Sequence, residues 1–197
     1  MSAPTSRGGS TSSWARASSR KSPTSPIDRP ADVYNNLGVA LRAQGRLKAA
    51  FASYQRSLAL RPDHSDVYSN LGNALRELGR LNDAAANHQQ AVRLSPGSAQ
   101  AIYNLGLILR DLGHLNEALA CFDKALEIDP DFVYCHWDRF LALLLRGDFE
   151  EGFAEYEWRW KLPHNPPRGY TQPHWDGAAL DGRTIFVHQE QGLGDMI

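Results

Sequence analysis

Equivalent residues of this chain recur at a fixed interval of 34 positions, and this feature constrains the fold more than any other. A glycine stands at one such position four times, at Gly45, Gly79, Gly113 and Gly147. A Leu-Gly pair recurs at residues 37–38, 71–72 and 105–106, and a proline recurs at Pro62, Pro96 and Pro130. A period of this length is typical of arrays in which each repeat buries its apolar face against its neighbours. The sequence therefore predicts a stacked solenoid, a fold that usually binds partners.

The apolar spacing inside each unit predicts two helices. The four units begin at Ala31, Ser65, Ala99 and Val133. In the first unit Tyr34, Leu37 and Leu41 lie on one face of a helix. The glycine at the fifteenth place ends that helix, because glycine accepts the left-handed conformation found after helix C-termini. A second helix follows and stops at the proline, which cannot continue it. We therefore expect an all-α array of eight helices between about Ala31 and Trp160.

The glycine at the eighth place of each unit predicts a close contact between the two helices. It is present in the first three units, at Gly38, Gly72 and Gly106. A glycine inside a helix costs roughly 1 kcal/mol relative to alanine. Its repetition indicates that the helices touch backbone to backbone at this place. In the fourth unit Phe140 stands there and Gly152 replaces a recurring alanine, which predicts a compensating exchange of a small for a large residue.

Composition divides the chain into four segments and excludes several functions. We expect a disordered Ser- and Arg-rich segment over 1–30, four units over 31–64, 65–98, 99–132 and 133–162, a Pro- and Gly-rich connector over 163–183, and a strand with a glycine loop over 184–197. The formal net charge of -1 argues against a nucleic-acid partner. No apolar run is long enough to cross a membrane. Cys121 and Cys135 make no disulfide framework, so we expect a cytoplasmic protein.

The units resemble tetratricopeptide repeats, whose signature places an aromatic residue, Leu-Gly, alanine, a second aromatic residue and proline at these offsets. The resemblance covers about two thirds of the chain. It implies a right-handed superhelix of helix pairs with a concave groove lined by the first helices, which binds a protein or peptide. The fourth unit departs from the signature, since Arg139 and Phe140 replace its Leu-Gly pair.

Two rows of polar residues are predicted to line that groove, on the side of the first helices that faces away from the second helices. Asparagine stands at the sixth place, at Asn36, Asn70 and Asn104, and arginine at the twelfth, at Arg42, Arg76 and Arg110. An amide side chain offers a donor and an acceptor to a peptide backbone, and a guanidinium attracts carboxylate or phosphate. The alternative is that both rows merely solvate an exposed face. The asparagine row is similar to the ladder that grips polypeptide in O-linked N-acetylglucosamine transferases.

One known class of peptide partner is not expected. Tetratricopeptide co-chaperones that clamp chaperone tails need lysine at the second and fifth places. Here those places hold residues such as Asp32, Asn35, Asp66, Ser69 and Gln100. The sequence therefore argues against a chaperone tail as the ligand.

The C-terminal residues suggest a second possibility. Residues 155–160, the Trp-Asp-Gly at 175–177 and residues 188–195 together resemble bacterial proteins in which tetratricopeptide repeats precede a heptosyltransferase-like glycosyltransferase domain. The resemblance makes Gly192 and Gly194 candidates for a phosphate-binding loop and Asp195 a candidate base for the acceptor hydroxyl. Only the first strand and turn of such a domain are present, so we expect no glycosyl transfer by these 197 residues.

No other chemistry emerges from the sequence. The seven histidines show no metal-ligand spacing, and His88 stands at an aromatic core place, where packing is the simpler interpretation. We expect no metal, cofactor or catalytic residue. The favoured interpretation is a scaffold that binds extended polypeptide. The alternatives are the substrate-recruiting part of a glycosyltransferase, and self-association through the ends of the solenoid.

Overall fold

A computed structural model describes residues 28–163 and Gly182 of the chain. Within these residues it contains eight α-helices and no strand, as the sequence predicts, and a terminal 3-10 helix that the sequence did not predict. The helices are α1 (Asp28–Ala43), α2 (Leu47–Leu60), α3 (Ser65–Glu77), α4 (Leu81–Leu94), α5 (Ala99–Asp111), α6 (Leu115–Ile128), α7 (Val133–Arg146) and α8 (Phe149–Tyr156), followed by the 3-10 helix Glu157–Lys161. Helix α1 therefore begins before the expected start at Ala31.

Several expectations fall outside the described residues. They concern the N-terminal segment up to residue 27, most of the connector, the strand over 184–189, and the loop residues Gly192, Gly194 and Asp195. They remain predictions.

The helices pack in the order of the sequence. Each unit pairs its two helices, α1 with α2, α3 with α4, α5 with α6 and α7 with α8. Each second helix also packs against the first helix of the next unit. The fifteenth-place glycines make the tight turns between paired helices with φ of 72°, 75°, 81° and 97°. At these values a residue with a Cβ is strained, which explains why glycine recurs there.

The eighth-place glycines do mark a close approach, but the contact is not the one we expected. A Cβ added to Gly38 would lie 2.5 Å from Cε1 of Tyr54, and one added to Gly72 would lie 2.6 Å from Nε2 of His88. At Gly106 the nearest atom is Cε1 of Phe122, at 2.6 Å. The expectation of backbone against backbone is therefore wrong. Each glycine makes room for the ring at the twenty-fourth place, on the second helix of its own unit.

The expected exchange between Phe140 and Gly152 is also corrected. The Phe140 ring packs beside Tyr156 and Trp137, with centroid distances of 5.0 and 5.1 Å. A Cβ added to Gly152 would lie 3.0 Å from Cδ2 of Leu144. Gly152 therefore makes room for Leu144, the residue that replaces the twelfth-place arginine in the fourth unit.

The apolar core crosses the boundaries between units. One cluster of buried residues joins Leu41 and Tyr54 of the first unit to Val67 and Leu71 of the second. Another joins Phe122 of the third unit to residues of the fourth. Because each unit completes its core with residues of a neighbour, the units stabilise one another. Over the part of the chain that the structure describes, no helix is both long and apolar enough to cross a membrane.

Candidate peptide-binding groove

The first helices of the second and third units line a polar cavity of about 330 Å³. Its lining comes from α3, from the N-terminal half of α5 and from the residue before α5: Ser65, Asp66, Ser69, Asn70, Asn73, Ser98, Gln100, Ala101 and Asn104. All of these side chains except that of Ala101 are polar, and Asp66 alone carries a formal charge. Asn70 and Asn104, two of the three sixth-place asparagines, both line this cavity. Asn36 does not line this cavity and is exposed on α1.

Asn70 and Asn104 each use one of their two amide groups for a hydrogen bond within the protein. Nδ2 of Asn70 donates to Oδ1 of Asn35 at 3.0 Å, and Oδ1 of Asn104 accepts from Nε2 of Gln100 at 2.9 Å. Among the described residues, Oδ1 of Asn70 and Nδ2 of Asn104 have no protein partner. These two asparagines thus present one free acceptor and one free donor to the cavity, which is what the N–H and C=O groups of a peptide require.

A recurring contact between neighbouring first helices explains why the asparagines differ. The sixth-place residue of one unit meets the fifth-place residue of the unit before it, as Asn70 meets Asn35 and Asp138 meets Tyr103. The corresponding partner of Asn104 would be Ser69, whose side chain is shorter. Asn104 bonds Gln100 of its own helix instead. The sequence carries this signal in its fifth-place residues.

The row of sixth-place residues changes character in the fourth unit. Asp138 accepts a hydrogen bond of 2.6 Å from the Tyr103 hydroxyl and pairs with Arg110. Burial, together with the hydrogen bond to Asp138, raises the pKa of Tyr103 well above its usual range. Tyr103 therefore remains a neutral donor, and the Asp138 carboxylate is already committed to two protein partners.

The twelfth-place arginines all bridge adjacent units. Arg42 approaches Glu77 at 3.7 Å, and Nε of Arg76 donates to Asp111 at 2.6 Å. Arg110 pairs with Asp138. Sequence reasoning missed these acids, although Glu77 and Asp111 are themselves separated by the repeat interval and stand at the thirteenth place. The arginine row is thus a row of inter-unit ion pairs, and its contact with a peptide remains a prediction.

The fourth unit contains a polar cluster that the sequence did not predict. Arg139, which replaces the leucine of the Leu-Gly pair, reaches Asp123 on α6 at 2.7 Å and Glu155 on α8 at 2.9 Å. His136 contacts the other oxygen of Glu155 through Nδ1 at 2.6 Å and stacks on Trp158 with a centroid distance of 3.5 Å. This departure from the repeat signature therefore joins α6, α7 and α8 through charged contacts.

His88 is a core residue, as expected. Its ring fills the space beside Gly72, is fully buried, and has no hydrogen-bond partner at either nitrogen. Burial, helped by the positive charge of Arg76, lowers the pKa of His88 to about 4. The histidine is therefore neutral at physiological pH. No group of three or more histidine, cysteine, aspartate or glutamate residues suited to a metal ion occurs in the described parts of the chain.

The match to known families agrees with the geometry of the helix pairs. Two family models for the tetratricopeptide repeat match residues 29–97 and 99–132, together just over half of the chain. The chain belongs to the tetratricopeptide repeat family. The matched segments end before the fourth unit, where the Leu-Gly pair is lost. No curated protein matches the chain.

Solved structures share this fold. MamA from Desulfovibrio magneticus RS-1 has a TM-score of 0.62 and 21% identity, over 70% of this chain and 78% of that one. The first tetratricopeptide domain of RPAP3, bound to an HSP90 peptide, has a TM-score of 0.59 and 20% identity, over 61% and 95%. An O-GlcNAc transferase mutant from Thermobaculum terrenum has a TM-score of 0.58 and 28% identity, over 61% of this chain but 23% of that one.

Proposed function

We propose that this protein is a scaffold that binds an extended polypeptide in the groove formed by its first helices. The observation that carries the proposal is the polar cavity between α3 and α5, with a free acceptor on Asn70 and a free donor on Asn104. A peptide unit satisfies both groups through its backbone, whatever its side chains are. Membership of the tetratricopeptide repeat family supports a protein-interaction role.

The charge of the groove limits the ligand. The peptide bound to RPAP3 comes from HSP90. In the present chain the cavity lining contains one carboxylate, Asp66, and no lysine or arginine. A C-terminal carboxylate placed beside Asp66 would be repelled. We therefore retain the expectation that a chaperone tail is not the ligand, and we propose an internal peptide segment whose residues beside Asp66 are uncharged or basic.

The arginine row is proposed to take part at the rim of the groove. Arg42 has the longest of the inter-unit contacts, at 3.7 Å from Glu77, and is the guanidinium most easily turned toward a ligand. Arg76 and Arg110 make closer pairs and serve first to hold adjacent units together. A carboxylate on the peptide near Arg42 would gain a charge-assisted hydrogen bond.

Selection from a library of unstructured peptides, followed by calorimetry, tests the proposal. We expect selected peptides to bind the full chain, and the double variant Asn70→Ala with Asn104→Ala to weaken binding on the order of tenfold or more, from two lost hydrogen bonds. Asn82→Ala, at an exposed asparagine on α4, is the matched control and should leave the affinity unchanged. Equal affinities for all three proteins would contradict the role of the groove.

A second proposal keeps the same groove but gives it a different purpose. In it the groove recruits polypeptide for a glycosyltransferase domain that begins near residue 184, with Gly192 and Gly194 in its phosphate loop and Asp195 as its base. The support is the 28% identity to the Thermobaculum terrenum O-GlcNAc transferase and the resemblance of residues 188–195 to bacterial glycosyltransferases.

Neither proposal expects glycosyl transfer by the 197-residue chain, so the two separate only in an assay on the product of the whole gene, with a selected peptide and a radiolabelled sugar nucleotide. A binding scaffold should give no labelled peptide. Transfer that is lost in Asp195→Asn would favour the second proposal. We further propose a cytoplasmic location, supported by the two free thiols of Cys121 and Cys135.

A further inference from the structure

The first helix exposes an apolar face that its counterparts in later units bury. Val33 and Leu37 of α1 are 61% and 46% exposed. One repeat further on, Val67 is fully buried and Leu71 nearly so. We call Val33 and Leu37 the α1 end face. The same places of the repeat are therefore exposed in the first unit and buried in the second unit, where the preceding helix α2 packs against α3.

The array itself shows what covers this kind of face. Val67 and Leu71 belong to a buried cluster against which Phe51 and Leu58 of the preceding α2 pack. The same junction recurs between α4 and α5 and between α6 and α7. A partner for the α1 end face therefore needs the surface of a second helix from this array.

The protein displays such a surface at its other end. Phe149 and Phe153 of α8 are each 59% exposed. Phe153 stands at the place of Phe51 in α2 and Leu119 in α6, both of which pack into the core clusters. We call Phe149 and Phe153 the α8 end face. It offers two large exposed apolar side chains, and Phe153 stands at the place that packs into the core at the internal junctions.

The two ends also lack the charged residues that pair across two of the internal junctions. At two internal junctions, a twelfth-place arginine pairs with the thirteenth-place acid of the next unit, as Arg42 does with Glu77 and Arg76 with Asp111. At the ends these places hold Leu144 and Ala43. Joining the two ends would place an apolar residue opposite an apolar one and leave no inter-unit arginine or acid without its partner.

We propose that the α8 end face of one copy binds the α1 end face of a second copy, continuing the junction that joins the units within the chain. The partner is this protein itself, and the contact is head to tail. Such a contact uses two different surfaces, so each added copy leaves one free end of each kind, and association is open-ended.

Sedimentation velocity of the full chain over a range of concentrations tests the proposal. We expect the average mass to rise with concentration beyond that of a dimer. Leu37→Asp and Phe153→Asp should each yield monomers, because a buried carboxylate opposes the contact. An equimolar mixture of the two variants should yield a heterodimer and nothing larger, since each variant retains the end that the other has lost.

The matched control is Val39→Asp, which changes an exposed apolar residue of the same helix outside the α1 end face. It should associate like the unchanged protein, and circular dichroism should show equal helicity in all variants. A wild-type protein that stays monomeric at every concentration would overturn the proposal. So would a mixture of Leu37→Asp and Phe153→Asp that stays monomeric. Association that appears only after deletion of residues 1–26 would also overturn it, by identifying that segment as the occupant of the face.

Discussion

The inner face and the groove face of the first helices differ in how faithfully they repeat. On the inner face, the eighth-place glycine meets the twenty-fourth-place ring in each of the first three units, at nearly the same distance. On the groove face, the sixth-place asparagine is exposed at Asn36, half-buried at Asn70 and buried at Asn104. The inner contact lies within one unit, so a repeated sequence repeats it. The groove face of each first helix lies beside the first helix of the neighbouring unit, so its contacts change with the neighbour.

The largest expected effect breaks the inner face. Gly72→Leu would place a side chain where the His88 ring lies, 2.6 Å from the position of its Cβ. Forcing a large residue into a packed core typically costs about 1–3 kcal/mol and occasionally more. We expect a clearly lowered melting temperature by circular dichroism. Gly97→Leu, at a glycine with nothing within 4 Å of an added Cβ, is the control and should change it much less.

The pH dependence of stability sharpens the comparison. Of the three rings that contact the eighth-place glycines, only that of His88 has an ordinary pKa near neutral pH. Its pKa is lowered to about 4 from the ordinary value of 6.5, so the unfolded chain takes up a proton more readily than the folded one. The contribution of His88 to the free energy of unfolding is therefore fully present above about pH 6.5 and is lost as the pH falls toward 4. The expected loss from this group is about 3 kcal/mol.

Urea denaturation between pH 7 and pH 4 measures this loss, and His88→Phe isolates it. The variant places at position 88 the phenylalanine that the third unit has at the equivalent Phe122, so its stability should depend less on pH. It should also be more stable at pH 7, by about 1–3 kcal/mol, because two buried nitrogens without partners are removed. A variant whose pH dependence equals that of the original protein would show that His88 does not carry the effect.

A smaller effect separates the two ends of the arginine row. Arg110 is largely buried and pairs with Asp138, which also bonds Tyr103. Arg42 meets an exposed Glu77 at 3.7 Å. Replacing Arg110 by Met leaves a partly buried carboxylate without its cation and should cost about 2 kcal/mol, whereas Arg42→Met should cost less than about 1 kcal/mol. Equal losses in thermal unfolding would show that burial does not distinguish these pairs.

The sequence is informative where a contact stays inside one repeat. The interval of 34 positions predicts all eight helices, the turn glycines, and the close approach at Gly72. It did not identify the ring of His88 as the partner, because spacing alone does not say whether a ring or a backbone fills the space beside a glycine. That choice depends on the relative rotation of the two helices, which only the packed structure supplies.

The sequence is less informative about contacts between repeats. The asparagine row is evident, but the hydrogen bond from Asn70 to Asn35 of the preceding unit depends on the side-chain length at that neighbouring place. Asn104, whose neighbour Ser69 is shorter, bonds Gln100 of its own helix instead. The acids that pair with the arginines were overlooked for the same reason. Glu77 and Asp111 each pair with an arginine of the preceding unit, so this role appears only once adjacent units are stacked.

The measurement that tests the groove most directly is an NMR titration of the isotope-labelled chain with a selected peptide, observing the side-chain amides of asparagine. We expect the resonances of Asn70 and Asn104 to shift as the peptide binds, with the larger change at Asn104, whose Nδ2 is the free donor. The Asn82 amide on α4 should not move. Saturable binding that shifts Asn82 and leaves Asn70 and Asn104 unchanged would place the peptide on the opposite face and contradict the account.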